Sequence, residues 1–201
     1  MLDIFTHIYD TIFPPHESIL TLRSETTANF KRHLHPFVQP DWTALANYQN
    51  PFIKAAVTAN KFHNSDNAAA LLATLLDVWL AKANITNAAL VPIPLSATRL
   101  KSRGFNQVAR ILKHSQSDLP VIPLLTRTRD TAPQTSLERA DRLKNISGAF
   151  EINRAYLPLP VATIILIDDV TTTGATLLEA RNALVAGLPK NCQVICVALA
   201  H

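Results

Sequence analysis

The chain has 201 residues, of which 48% are hydrophobic and 17% charged, and its formal net charge is +4. These proportions exclude wholesale disorder and suit one domain with room for an appendage. The apolar runs are far shorter than the roughly 18 residues of a membrane span, and the N-terminus lacks the basic start of a signal peptide. We therefore expect a cytoplasmic protein without membrane insertion.

Basic residues are concentrated in one part of the chain. Residues 97–154 hold eleven Lys and Arg against five Asp and Glu, a balance of +6, whereas the remainder has a balance of −2. Such a concentration favours a polyanionic ligand, for example a pyrophosphate, a phosphosugar or a nucleic acid. A solvated basic face is an equally open alternative on charge alone.

The first half of the chain contains two predicted helices. Residues 1–40 are punctuated by prolines and are predicted to form an irregular or helical segment. The spacing of apolar residues then predicts helices over 51–63 and 66–83. Asp66 is the predicted N-cap of the second helix, because short polar side chains favour that position.

From residue 88 onwards, predicted strands alternate with predicted helices. This alternation predicts an α/β fold, in which a mostly parallel twisted sheet is flanked by helices. In such sheets ligands bind beyond the carboxyl ends of the strands, so we expect the site just after Ile93, Leu125 and Ile167. The predicted strands cover residues 88–93, 121–125, 164–167 and 192–199, the helices cover 107–114 and 176–186, and a long polar loop covers 126–147.

The two cysteines, Cys192 and Cys196, lie in the last apolar run. Four residues along a strand span about 13 Å, which exceeds the roughly 7 Å between Cα atoms that a disulfide tolerates. We predict two small core residues. The seven histidines show no metal-ligand spacing, so no direct metal site is expected.

The strongest chemical signal follows the strand predicted at 164–167. Two carboxylates come first, and then hydroxyls, a glycine and the start of a helix. Gly174 permits a tight turn, and a helix N-terminus offers N–H groups and a positive dipole end to a phosphate. The carboxylates suit sugar hydroxyls or a hydrated Mg²⁺. The predicted ligand-binding residues are Asp168, Asp169, Thr171, Thr172, Thr173, Gly174, Ala175 and Thr176.

Ordinary helix capping is the simpler interpretation of this segment, because Asp and Thr are good capping residues. Two other phosphate-binding motifs are excluded. The chain has only four glycines and contains neither G-x-x-x-x-G-K-[ST] nor G-x-G-x-x-G.

A basic loop is predicted after the strand at 88–93. Its three cations, Arg99, Lys101 and Arg103, stand at alternate positions. Charge-assisted hydrogen bonds from such a loop can hold a pyrophosphate, with Arg103 as the preferred contact.

The polar stretch 126–147 has the length of a lid that excludes water from a reaction. Its candidate contacts are Arg129, Gln134 and Arg142.

Several short motifs precede the acidic segment in a fixed order: P-x-P, R-G-F-N-Q, R-x-x-x-x-Q, R-x-x-N and G-A-F. Together with Asp168–Thr176 they resemble the ComF family of competence-associated type I phosphoribosyltransferases. The resemblance implies a type I phosphoribosyltransferase domain over residues 44–201. Residues 1–43 are similar to the family's opening, where many members carry a four-cysteine zinc ribbon, but those cysteines are absent here.

The resemblance also implies a substrate, 5-phosphoribosyl-1-pyrophosphate (PRPP), with Mg²⁺ carried by PRPP and not by direct protein ligands. Asp168, Asp169 and Arg103 are then the expected catalytic residues, and the phosphoribosyl group is transferred to an unknown acceptor with release of pyrophosphate. Two alternatives stay open: a PRPP-binding protein without turnover, and a DNA-uptake accessory protein that contacts single-stranded DNA or the competence machinery. A homodimer is the default for a soluble assembly.

Overall fold

A mostly parallel five-stranded sheet lies at the centre of the protein, in a computed structural model that describes residues 16–129 and 148–201. The strands are β1 (Phe37–Val38), β2 (Thr43–Ala46), β3 (Ala88–Pro92), β6 (Thr163–Val170) and β7 (Gln193–Ala200). Their order in the sheet is β1-β2-β7-β6-β3, and the β1–β2 pair is antiparallel while the other three pairs are parallel. The α/β class predicted from the alternating pattern is therefore confirmed.

Helices cover both faces of this sheet. The helices are α1 (Glu17–Leu22), α2 (Thr27–Phe30), α3 (Pro51–Phe62), α4 (Asp66–Ala83), α5 (Ala97–Arg103), α6 (Gln107–Lys113) and α7 (Ala175–Gly187). Ile165 and Ile167 of β6 face a core formed mainly by α1 to α4 and α6, whereas Ile164 and Leu166 face a second core beneath α7. A strand segment buried on both faces is apolar, as residues 164–167 are, and the same strand then continues through the buried Asp168 and Asp169.

The helices predicted over 51–63, 66–83, 107–114 and 176–186 are confirmed as α3, α4, α6 and α7. The predicted cap of α4 is wrong by one residue. The Ser65 hydroxyl accepts a hydrogen bond from Ala68 N at 3.2 Å, which makes Ser65 the N-cap and Asp66 the first helical residue. Asp66 there still interacts favourably with the positive end of the helix dipole.

The basic segment after β3 is a helix, so the predicted loop is wrong. Ser96 caps α5 by accepting from Arg99 N at 3.4 Å, and Gly104 ends the helix in the left-handed conformation at φ 81°. Serine before a helix and glycine after it are the usual boundary signals. Residues two apart, such as Arg99 and Lys101, lie on the same face of an extended chain but on nearly opposite sides of a helix.

The strand predicted over 121–125 is also wrong. Only Val121 bridges to the sheet, through Leu90, and the Leu124 N–H donates to Ile122 O at 2.8 Å instead of continuing the ladder. The chain instead forms β4 (Leu125–Arg127), which pairs antiparallel with β5 (Phe150–Ile152) as a separate ribbon packed against α7.

Of the two forms predicted for the N-terminal segment, irregular and helical, the described part is largely helical. It forms α1, α2 and β1, and Leu22 and Phe30 are buried in the same core as α4. The boundary predicted between residues 43 and 44 falls at the start of β2. Within residues 16–129 and 148–201, no helix is both long and apolar enough to cross a membrane.

Candidate functional site

A cavity of about 850 Å³ opens at the edge of the sheet where the parallel strands end. Because β2, β3, β6 and β7 all run the same way, the residues that follow them converge there. Asn47, Ile93, Asp168 and His201 line the cavity, one from each of these strand ends. The predicted position of the site after Ile93 and Ile167 agrees with this cavity.

Asp168 and Asp169 form the acidic part of the cavity wall. Both are buried, and they belong to β6 itself, which extends to Val170. Asp168 Oδ1 accepts from the Asp169 N–H at 2.9 Å, and Asp169 Oδ1 accepts from the Val170 N–H at 2.8 Å. Burial, reinforced by the neighbouring carboxylate of Asp169, raises the pKa of Asp168 to about 7.

Lys61, near the end of α3, pairs with the second carboxylate. Its Nζ atom lies 2.9 Å from Asp169 Oδ2, an atom with no well-directed hydrogen bond in the structure. The ion pair is largely shielded from solvent, so water weakens it less than it would an exposed pair. The cavity wall thus carries two carboxylates with one neutralising ammonium.

The segment after β6 makes a tight turn into α7. Thr171 Oγ1 accepts from the Gly174 N–H at 3.0 Å, and Thr173 Oγ1 accepts from the Ala175 N–H at 3.4 Å. These two N–H groups are therefore engaged within the turn itself, which differs from the prediction of free donors. Of the predicted residues, Thr171, Thr172 and Thr176 line the cavity together with the two aspartates, and Thr173, Gly174 and Ala175 do not.

Gly174 is required at this turn for two reasons. Its φ of 78° is in the left-handed region, and its Cα packs directly against an indole ring. A Cβ at this position would lie 2.6 Å from Cδ1 of Trp42, far inside van der Waals contact. The Trp42 indole thus packs directly against the turn at Gly174.

Helix α5 contributes cations from one side only. Arg99 and Arg103, four residues apart, line the cavity, whereas Lys101 does not. Arg103 donates to Gln107 Oε1, and its guanidinium lies 5.5 Å from the ring centroid of Phe62. Burial lowers the pKa of Arg103, while Asp169 opposes this shift and Arg99 adds to it.

The predicted lid residues are only partly within the described chain. Gln134 and Arg142 lie outside the described residues, and Arg129 lies beside Gly148 and does not line the cavity. Arg127, at the end of β4, lines the cavity instead. Its guanidinium lies 5.4 Å from the ring centroid of Phe150.

Sequence reasoning gave no site role to several residues that reach the cavity. His201 follows β7, and its Nε2 atom lies 3.0 Å from the Thr172 carbonyl oxygen, which ties the last strand to the turn. Lys61 arrives from a helix more than a hundred residues earlier in the chain. The sequence analysis does not predict the strand β2, so it also misses the residues that follow this strand and line the cavity, which are Asn47, Tyr48 and Gln49.

The residues around the cavity suit a phosphorylated and hydroxylated ligand. Arginine guanidiniums match phosphate oxygens, and buried carboxylates accept hydrogen bonds from sugar hydroxyls. Among residues 16–129 and 148–201, no group of three potential metal-ligating side chains is close enough to hold an ion.

Fold and site together define an α/β protein with a carboxylate- and cation-lined cavity at the strand ends. No protein-family model matches the chain. The chain is 31% identical over 172 residues to the DNA utilization protein YhgH of Escherichia coli strain K12, and this alignment covers 79% of this chain and 73% of the relative. It is 30% identical over 158 residues to competence protein F of Haemophilus influenzae, and that alignment covers 73% of this chain and 68% of the relative.

The chain is also 34% identical over 94 residues to competence protein ComFC of Streptococcus pneumoniae. This alignment covers 47% of this chain and 40% of the relative. The protein belongs to the ComF family. The family resemblance seen in the sequence motifs is thereby confirmed.

Proposed function

We propose that the cavity binds PRPP and that the protein is a phosphoribosyltransferase with the type I fold. One observation carries the proposal: two buried carboxylates, three hydroxyls of the turn and two guanidiniums line one cavity. They belong to Asp168, Asp169, Thr171, Thr172, Thr176, Arg99 and Arg103. Ordinary helix capping explains the turn alone, but it does not explain two buried carboxylates facing two arginines.

Each part of PRPP has a matching part of the wall. The 5-phosphate lies over the turn at the N-terminus of α7, where the helix dipole favours an anion. The ribose hydroxyls donate to the carboxylates of Asp168 and Asp169. The pyrophosphate, with its Mg²⁺, faces Arg99 and Arg103.

The reaction is displacement at the anomeric carbon. An acceptor nitrogen forms a bond to C1 with its lone pair and releases its proton to solvent, while the C1–O bond breaks and its electron pair leaves with pyrophosphate. Arg99 and Arg103 stabilise the negative charge that grows on the leaving group. Mg²⁺ bound with PRPP would add positive charge beside that leaving group.

The binding test is calorimetry with PRPP and Mg²⁺. We expect Asp168→Asn and Asp169→Asn each to weaken PRPP binding at least tenfold, because lost hydrogen bonds to charged groups cost about 1.5–3 kcal/mol. Asp118→Asn, an exposed site outside the cavity, removes the same charge and should leave binding unchanged. Equal affinity in all four proteins would overturn the site assignment.

Turnover needs a separate test, since binding alone also fits a sensor. Pyrophosphate release is measured across a panel of purines, pyrimidines and small amines with PRPP present. An acceptor-dependent release that is lost in Asp169→Asn supports an enzyme. Tight PRPP binding with no acceptor-dependent release supports a protein that binds PRPP without turnover.

A second proposed role is accessory function in DNA uptake or use, which is what the names of the relatives favour. The test is complementation of a Haemophilus influenzae strain that lacks competence protein F, scored as transformation frequency. We expect this chain to restore transformation. Failure to do so, with the protein present at normal levels, would argue against a shared role.

A further inference from the structure

A second groove, of about 670 Å³, lies beside the cavity. The two share Lys61 and Arg103, so the groove opens where the pyrophosphate of PRPP is proposed to lie. It runs between the end of α3 and the end of α5. Its lining residues are Lys61, Phe62, Asn64, Ser102, Arg103, Gly104 and Phe105.

Phe62 is the prominent feature of the groove. It ends α3 with 67% of its surface exposed, although a large aromatic ring usually contributes to the core. The Arg103 guanidinium lies 5.5 Å from the centroid of the ring. An exposed ring backed by a cation is a ready platform for a second flat π-system.

A second aromatic–cation pair includes Phe105, which also lines the groove. The Arg110 guanidinium lies 5.1 Å from the ring centroid of Phe105. Arg110 also pairs with Asp66, at 2.9 Å, and donates a hydrogen bond to Asn64.

The charge of the groove selects the kind of occupant. Among the lining residues that the structure describes there is no Asp or Glu, whereas Lys61 and Arg103 are both present. Lys61 is partly neutralised by Asp169, so Arg103 is the principal cation. Aromatic rings interleaved with cations are the arrangement that binds unpaired nucleotides, with bases stacked on rings and phosphates near the cations.

We propose that this groove binds a single-stranded nucleic acid, with one unpaired base stacked on Phe62 and its phosphate beside Arg103. The inference rests on the proposed DNA role and assigns DNA binding to this groove. A duplex does not fit, because its bases are already stacked and present only their edges. The strand is thereby held at the mouth of the proposed PRPP cavity.

The test is binding of a short fluorescent oligothymidylate, followed by anisotropy at low and moderate salt. Phe62→Leu keeps an apolar side chain but removes the ring, and it should weaken binding about tenfold, the size of one lost base stack. Tyr156→Leu removes another exposed aromatic, away from the groove, and should leave binding unchanged. Both sites are exposed, so both variants are expected to fold.

Three outcomes would overturn the inference: equal losses in the two variants, no measurable binding of the single strand, or equal binding of a duplex of the same length. An oligouridylate of equal length separates DNA from RNA as the source of the strand. Capture of an acidic peptide with the same dependence on Phe62 would instead assign the groove to a protein partner.

The failures of the two proposals are distinguishable. If Asp168→Asn loses PRPP but keeps the Phe62-dependent oligonucleotide binding, both proposals stand. If no PRPP binds to the unaltered protein while the strand does, the cavity proposal fails and the groove stands. If PRPP binds and the strand does not, the groove proposal fails alone.

Discussion

Ionisation of Asp168 is energetically unfavourable at its position in the fold. Its carboxylate is buried beside a second carboxylate, and the ammonium of Lys61 offsets only part of the repulsion. Its pKa of about 7 lies well above the ordinary value for aspartate. A residue so placed is typical of functional sites, because burial that harms stability is retained where it helps ligand binding.

This pKa predicts a pH dependence of stability. A carboxyl whose pKa is higher in the folded than in the unfolded protein stabilises the fold below its unfolded pKa, and this stability is lost as pH rises through about 7. Asp168→Asn removes the effect. We expect the free energy of unfolding of the variant, relative to that of the native protein, to rise by about 4 kcal/mol between pH 4 and pH 8, because the pKa of Asp168 is raised from 3.8 to about 7 and one pKa unit is worth about 1.4 kcal/mol.

Urea unfolding at the two pH values measures this difference. A stability gap that is the same at both would show that Asp168 does not titrate as described.

Gly174 gives a second prediction at the residue scale. Alanine there must adopt a left-handed φ and must also displace Trp42, so we expect a loss of about 2–4 kcal/mol in unfolding free energy. Gly104→Ala is the matched control, because Gly104 has a similar φ of 81° but no atom within 4 Å of the added Cβ. Its cost should be only about 1–2 kcal/mol. Equal losses in thermal or urea unfolding would remove Trp42 from the explanation.

At the scale of the element, α5 decides which of its cations reach the ligand. A helix turns 100° per residue, so Arg99 and Arg103 share a face and Lys101 points elsewhere. Replacing Arg99 with Gln should weaken PRPP binding about tenfold, through loss of a charge-assisted hydrogen bond. Lys101→Gln, with the same change in charge on the same helix, should change it less than about twofold. Calorimetry on the pair measures this, and equal effects would favour a diffuse electrostatic role.

The same helix shows what could be predicted from the sequence. The turn after β6 was predicted in place because its residues are contiguous and each has a local role. The sequence predicts the cations of α5 as a group, and it includes Lys101 because the segment is predicted as a loop, although Ser96 and Gly104 mark a helix. His201 is missed because only the order of strands in the sheet brings it to the cavity. Lys61 is missed because only the packing of the helix α3 brings it there.

At the scale of the whole molecule, the N-terminal elements are part of the main fold. Phe30 is fully buried against α4, and β1 and β2 extend the sheet beside β7. The turns that follow β2 supply Asn47, Tyr48 and Gln49 to the cavity. The described part of residues 1–43 therefore shares the core and the sheet of the domain that builds the site.

This arrangement predicts one cooperative unfolding transition. Phe30→Ala should lower the unfolding free energy by about 3–5 kcal/mol, as expected for a large side chain removed from a packed core. Leu20→Ala, in an exposed position of α1, should cost roughly 0.5 kcal/mol or less. Far-ultraviolet circular dichroism and fluorescence should report the same midpoint in each variant. A separate early transition for the N-terminal elements would contradict a shared core.

The contact between Trp42 and Gly174 has a practical consequence. The chain has two tryptophans, and the other, Trp79, packs on α4 against the helical core. Trp42 therefore serves as a built-in optical reporter at the turn, and Trp79 as an internal reference. Titration of an unlabelled protein with phosphorylated sugars should change its emission, and Trp42→Phe should silence that signal while leaving Trp79 to report the integrity of the helices.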